Sequence, residues 1–482
     1  LRDGKDYYIT HSPFYYAPGF LIWHSTDLMN WEPVCRALPE YEGSAMAPDL
    51  LKYQNRYYIY YPTSAGEIYV IYADDIRGPW SKPVKLALKG IDPGHVVGED
   101  GKRYLFTNNG WITPLSEDGL KVTGPSREVY DGWEYPANWV TEGKDRYLES
   151  PKLIRKDGYY YMMSAEGGTA GPATSHMCVV ARSKSVFGPW ENSPYNPIVH
   201  TYSASENWWS KGHGTLIDDV NGNWWLVYHA YANGYHTLGR STLMEPIEWT
   251  SDGWCRTTQE ADWLGKSRQP EWKMKISDDF SGSELGLQWT FWKEYAPKAL
   301  TFADGEMQVK AKGHTPADGR LLLTTAVDKC YETEVEIALG SGNTGGLLLF
   351  YNEEAYAGVT SDGKNFTVYR GEERPLTLPN RMGKHFWVKL LNQGNRVKMS
   401  VSADGKTWEV LAENVDVSRL NHNVYKGFYA LRPALFAAGK GKVGFRDFRY
   451  RNAIPEEKDM AAYLMVFHRD ETHGLYMAIS RD

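Results

Sequence analysis

Three carboxyl side chains stand beside a proline at what read as strand entrances. Asp49 follows Pro48 in MAPDLLKY, Asp92 precedes Pro93 in GIDPGHVVGEDGKRYL, and Glu149 precedes Ser150-Pro151 in YLESPKLI. Proline fixes its own φ and restricts the residue before it, so an acid in such a corner is aimed rather than free. Aimed carboxyls suit the cleavage of a glycosidic bond, which needs one protonated acid for the departing oxygen and one ionised partner. The plain alternative is that Asp and Glu are simply favoured beside proline in turns. Which reading holds depends on whether the fold brings these distant acids together.

A repeat supplies the means. A turn carrying Gly or Asn leads into an aromatic strand five times: DGKDYYIT (3–10), QNRYYIYY (54–61), DGKRYLF (100–106), DGYYYMMS (157–164) and NGNWWLVYH (221–229). Several are followed by a second strand, a Ser/Ala-x-Asp/Lys/Ser corner and a Trp, as in FLIWHSTDLMNW, IYVIYADDIRGPW and CVVARSKSVFGPW. A spacing of roughly 45–60 residues is that of four-stranded propeller blades. Five recurrences predict a five-bladed β-propeller over residues 1–272, in preference to one antiparallel sandwich of repeated hairpins. A propeller gathers one set of loops from all its blades at a single axial mouth.

After residues 262–276 the pattern changes. Alternating strands from DDFSGSELGLQW onward, including YETEVEIAL, GGLLLFYN and HFWVKLLNQGNRVKMS, carry no blade corners and predict a β-sandwich over 273–453. The charged stretch AIPEEKDM then reads as a linker, and AYLMVFHRDETHGLYMAISRD as the first hairpin of a further propeller-like domain within 454–482. Both ends read as interior to a longer protein, so the absence of a signal-peptide pattern carries no weight. The class is all-β.

Composition narrows the function. Among 482 residues are 34 Tyr, 19 Trp and 46 Gly, a profile of short aromatic strands and of surfaces that stack on sugar rings. The 53 Lys and Arg are scattered against 60 Asp and Glu, for a net charge of −7, which argues against nucleic acid as partner. No apolar run reaches the ~20 residues of a membrane helix. Cys35, Cys178, Cys255 and Cys330 show no metal spacing and read as buried thiols, with a disulfide left open.

The segments LRDGKDYYIT, MAPDLLKY, GIDPGHVVGEDGKRYLF, LESPKLIRKDGYYYMMSAEGGT, VVARSKSVFGPWENSPYNPI and KGHGTLIDDVNGNWWLVYHA, in that order, resemble glycoside hydrolase family 43. That family includes β-xylosidases and α-L-arabinofuranosidases. The resemblance implies an inverting hydrolase that removes xylose or arabinofuranose from plant polysaccharides or oligosaccharides. Such a substrate favours a secreted or periplasmic protein over a cytoplasmic one. Glu149 is then the general acid, with Ser150 where the family has Gly, and Asp92 the group that raises and orients it. The family's general-base Asp, by register, falls about four residues before Leu1. Asp3 and Asp6, in the blade turn, are not read as substitutes.

The same resemblance gives Asp49 a positioning role and places His213 near the axis, facing substrate, water or a structural calcium; no cofactor is required. It puts Arg240 on the sugar or the acid pair. Trp111, Trp133 and Trp139 are candidate stacking residues, with Trp111 put forward for substrate binding. Glu166 is a weaker acid candidate than Glu149. The sandwich resembles the accessory domain whose loop narrows the mouth in exo-acting relatives, with Phe350 and Tyr351 as expected cap residues. A second class also fits: a carbohydrate-binding propeller that keeps the fold without catalysis.

Overall fold

Each of the five recurring turns closes an antiparallel hairpin, and each hairpin forms the two inner strands of one blade. The structure, a computed structural model, describes residues 1–143, 145–258, 271–453, 463–469 and 474–480. The hairpins pair Arg2–Asp3 with Asp6–Ile9, Asp49–Tyr53 with Arg56–Pro62 and Gly94–Val97 with Arg103–Thr107. Glu149–Lys156 pairs with Tyr159–Glu166, and Trp208–Asp218 with Trp224–Ala232. Outer strands extend each hairpin, giving five antiparallel blades. Glu271–Trp272 lies parallel to Asn30–Trp31 and adds an edge to the first blade.

The second strand of a blade is covered on both faces by its neighbours, which is why it reads as an apolar run and not an alternation. Tyr57 to Tyr61 and Tyr160 to Met163 are all buried. First strands begin, and second strands end, at the same end of the ring. Asp49 and Glu149 open their first strands and Asp92 lies two residues before Gly94, so the three acids are delivered to one mouth.

The following domain is a sandwich of an eight-stranded and a seven-stranded sheet. Period-two patterning builds it: in His385–Gln393, Phe386, Val388 and Leu390 enter the core while Trp387 and Lys389 turn outward. The inner faces bury Trp289, Phe291, Ile337, Leu347, Leu349 and Phe445.

The two domains share a sheet. Tyr16–Ala17, from the loop before the first blade's next strand, pairs with Phe291 and Trp292 and forms the outermost strand of the eight-stranded sheet. Tyr16, Trp292 and Tyr429 pack their rings at this seam. Arg36 of the first blade donates to the Leu287 and Pro18 carbonyls at 3.0 and 2.9 Å.

All four cysteines are free; Cys178 and Cys255 are buried, whereas Cys35 and Cys330 are half-buried, contrary to the uniform burial expected. Tyr463–Arg469 and Gly474–Ser480 form an antiparallel hairpin. The linker expected from 454 onward lies outside the described residues up to 462. Among the described residues, no helix is long and apolar enough to cross a membrane.

Candidate active site

Lys152 draws three blades together at the mouth. It sits on the first strand of the fourth blade, and its Nζ donates to the Pro48 carbonyl at 3.1 Å, the Pro93 carbonyl at 2.7 Å and Asp49 Oδ1 at 2.9 Å. Asp49 uses its other oxygen to accept the His95 backbone N–H at 2.7 Å. Both oxygens of Asp49 are therefore engaged in holding the second, third and fourth blades in register. Gly94 permits the close approach: a Cβ there would lie 1.5 Å from the Pro151 carbonyl oxygen.

On this frame the candidate acids meet. Ligand atoms of Asp92, Glu149 and His213 all lie within 4.8 Å of one another, and among the described residues no third carboxylate joins them. Asp3 is bound instead to Lys52 and the Tyr57 hydroxyl, and Asp6 to His24. Three residues here take left-handed backbone: Asp92 at φ 52°, Ser150 at φ 60° and His213 at φ 58°. Each such non-glycine position costs on the order of 1–3 kcal/mol and survives where the surroundings over-determine it. At 150 a glycine would be free of that strain, so the serine is accommodated at an energetic cost.

Behind the acids stands a column of imidazoles. His176 Nε2 is 3.7 Å from Glu149 Oε1, and His213 Nδ1 is 3.7 Å from Asp92 Oδ2. His229 lies between them, its ring 5.4 Å from His176 and 5.7 Å from His213. Arg240 reaches within 3.3 Å of His229 Nε2. Burial, with the charges of Lys152 and Arg240 nearby, drives the pKa of His213 well down; His229 falls well down too, from burial and Arg240, and His176 falls to about 3. All three are neutral at physiological pH. Gly212 makes room for the column, since a Cβ there would fall 1.7 Å from the His176 ring.

The carboxyls shift the other way. Burial, then the negative charge of Asp92, then that of Glu142 push Glu149 well above the usual carboxylate range, against the pull of Arg240. Burial also raises Asp92, opposed by Lys152, Arg240 and the Ser150 backbone N–H. Asp92, with two cations and an N–H favouring its anion, ionises first and so keeps the proton on Glu149. A protonated carboxyl beside an ionised one is the state an acid catalyst needs.

The sandwich covers one side of the mouth, through a different segment from the one expected. Phe350 and Tyr351 are fully buried; Phe350 packs on Trp292, and Tyr351 donates to the Lys426 and Gly427 carbonyls from beneath. An aromatic pair ending an apolar run serves the two faces of a sheet here, not a loop tip. The segment Asn421–Leu431 reaches the propeller instead. Its Phe428 ring lies 6.2 Å from Phe14 and carries the Arg240 guanidinium at 4.7 Å. His422 stacks on Tyr231 at 4.4 Å.

The remaining candidates are spread over the rim. Trp111 begins the third strand of the third blade, 40% exposed, and does not join the acid group. Trp133 packs edge-on against Trp139, which stacks flat on His200 at 4.4 Å, so both rings are engaged with protein. Glu166 is fully buried; it accepts the Trp133 N–H at 2.6 Å, and burial raises its pKa to about 8. It holds the rim loop and lies outside the acid group. Sequence reasoning missed Lys152, His176, His229 and Phe428. Of these, only His229 left a signal, as a polar residue inside the apolar run WWLVYHAYA. Calcium prefers six to eight oxygen ligands. One imidazole and two carboxyls, the whole donor group among the described residues, fit that demand poorly.

Comparison with known proteins bears on the family and the fold. The family described as glycosyl hydrolases family 43 matches residues 1–255, and the β-xylosidase C-terminal concanavalin A-like domain matches 277–451. A xylosidase/arabinosidase of Butyrivibrio fibrisolvens is 33% identical over 283 residues, which cover 52% of each chain. A non-reducing end α-L-arabinofuranosidase of Bacteroides ovatus is 30% identical over 337 residues, 64% of this chain and 62% of that one. The chain thus spans about half to three-fifths of these relatives' length. Among solved structures, the GH43 protein BlXynB of Bacillus licheniformis superposes with a TM-score of 0.81 at 26% identity, covering 94% of this chain and 96% of that one. A xylan β-1,4-xylosidase of Bacillus halodurans gives 0.80 at 25%, covering 94% and 97%.

Proposed function

This chain belongs to glycosyl hydrolases family 43, and from that premise we propose that it removes single xylose or arabinofuranose units from the ends of plant cell-wall polysaccharides or oligosaccharides, by an inverting route, outside the cytoplasm. The observation that carries the reading is the acid pair: Glu149, its pKa raised by burial and by Asp92, within 4.8 Å of that partner at the propeller mouth. Glu149 donates its proton to the glycosidic oxygen as the bond to the anomeric carbon breaks. Asp92 stays ionised and keeps that proton in place. Arg240, held between His229 and the Phe14 and Phe428 rings, offers N–H donors to sugar hydroxyls.

Inversion also needs a base for the attacking water; no described residue is assigned that step. The chemistry runs on carboxyl groups and gives calcium beside His213 no part. The cap at Asn421–Leu431 supports exo action, because a mouth narrowed by Phe428 suits a chain end better than a chain interior. The raised carboxyl favours an enzyme over a binding module, since a binding site has no use for a buried proton donor.

Glu149→Gln keeps the shape and removes the proton. Turnover of xylobiose or arabinobiose is expected to fall by about a thousandfold, while a 2,4-dinitrophenyl glycoside, whose leaving group needs no proton, loses far less. The wild type loses activity as pH rises through the raised pKa of Glu149. Equal rates for variant and wild type on the disaccharides would refute the assignment.

A further inference from the structure

The rim loop between the third and fourth blades is fastened at several points to the tip of the fourth blade. Gly167 donates its N–H to the Arg146 carbonyl at 2.7 Å and accepts the Glu142 N–H at 3.1 Å, and Ser175 Oγ accepts that same N–H at 2.7 Å. The Thr174 hydroxyl donates to the Val140 carbonyl at 2.9 Å. The Glu142 side chain is fixed as well: its Oε2 accepts the Ala170 N–H at 2.9 Å. The next N–H along, that of Gly171, donates at 3.0 Å to Asn423 of the sandwich cap. Two successive backbone donors thus set a propeller carboxylate and the cap side by side. Glu142 lies near enough to the acid that its charge bears on Glu149 and on Tyr231.

Glu142 is half-buried, and its Oε1 takes no hydrogen bond from the described residues, so it is left with acceptor capacity at the rim. The sugar to be cleaved occupies the floor, among Asp92, His213 and Arg240. Glu149 protonates the oxygen that bridges to the leaving sugar, so that sugar extends from the floor toward the rim, where Glu142 sits beside the cap. We propose that Glu142 accepts hydrogen bonds from hydroxyls of the leaving sugar, and that it makes this site select a glycan leaving group over a simple alcohol or water. The proposal rests on the reading of Glu149 as the acid. Its chemistry is that of an ionised acceptor for a sugar hydroxyl, a charge-assisted hydrogen bond stronger than a neutral one.

Calorimetric titration of the whole chain carrying Glu149→Gln, in which the disaccharides persist, with xylose, arabinose, 1,4-β-xylobiose and α-1,5-arabinobiose tests it. This Glu149→Gln chain should bind one disaccharide more tightly than its monosaccharide, and the Glu142 variants are made in the same background. Glu142→Gln, which keeps the bond from Ala170, and Glu142→Ala should both weaken the disaccharide, the alanine variant about tenfold or more. Monosaccharide affinity should stay within about twofold. Unchanged disaccharide affinity in both variants, or equal losses for both ligands, overturns the role of Glu142 and leaves the hydrolase reading standing. A Glu149→Gln chain that binds none of the four sugars, with a wild type that cleaves neither disaccharide, overturns that reading, and this proposal with it.

Discussion

Replacing Glu166 by Gln should make the protein more stable at neutral pH and change little at pH 5. Glu166 is fully buried at the tip of the fourth blade's second strand, accepts one N–H from Trp133 and leaves its Oε2 without a partner among the described residues. Arg146 pulls its pKa down and Asp131 pushes it up, but burial dominates and raises it from 4.5 to about 8. The folded chain therefore keeps a proton that the unfolded chain gives up near pH 4.5. Between those two values the folded state binds more protons, so this group's contribution is fully present below pH 4.5 and is lost progressively up to about pH 8. Each pH unit in that window is worth about 1.4 kcal/mol, so the loss from pH 5 to 7.5 is about 3 kcal/mol. Glutamine keeps the bond from Trp133 and has no proton to lose. Urea unfolding followed by tryptophan fluorescence, at pH 5 and 7.5, should show the variant gaining about 3 kcal/mol on the wild type between the two. A stability difference that does not move with pH, or moves the other way, would show that Arg146 holds Glu166 ionised and that the reasoning fails.

Two further outcomes follow from the frame of the mouth. Lys152→Met removes the one cation that Asp49 shares with two blade carbonyls, and loss of a partner from a buried pair costs about 3–5 kcal/mol, to be read from the urea midpoint. Gly212→Ala puts a methyl into the His176 ring; because His176 abuts Glu149, hydrolysis should fall by about tenfold or more even in protein that remains folded by circular dichroism.

The blades were legible because their signal is local. A Gly or Asn turn, an aromatic strand and a Trp corner are decided within a dozen residues, and the structure places a hairpin on each. Asp92 and Glu149, which the structure brings together, could be put forward as candidates for a related reason, since proline marks an aimed corner without reference to anything distant. Lys152 carries no such mark. Its value lies in three partners from two other blades, which no single stretch displays. His176 depends likewise on the missing side chain at Gly212. Phe428 was invisible because a phenylalanine after glycine in a sandwich loop resembles any other, while Phe350 and Tyr351 attracted the expectation that belonged to it. What fails to show in a sequence is contact between elements that fold far apart along the chain.

The strand at Tyr16–Ala17 bears on how such enzymes can be recombined. The propeller lends the sandwich its outermost strand, so the border between the two folds runs through a hydrogen-bonded ladder and not along a linker. Grafting this sandwich onto another catalytic unit would leave Phe291 and Trp292 with bare backbone amides and an open sheet edge, the kind of surface that recruits strands from other molecules. A chimera that keeps the ladder must carry the Pro13–Pro18 loop with the sandwich, although the loop belongs to the other domain in sequence. The pieces that can be traded are therefore not the pieces that a domain boundary would draw.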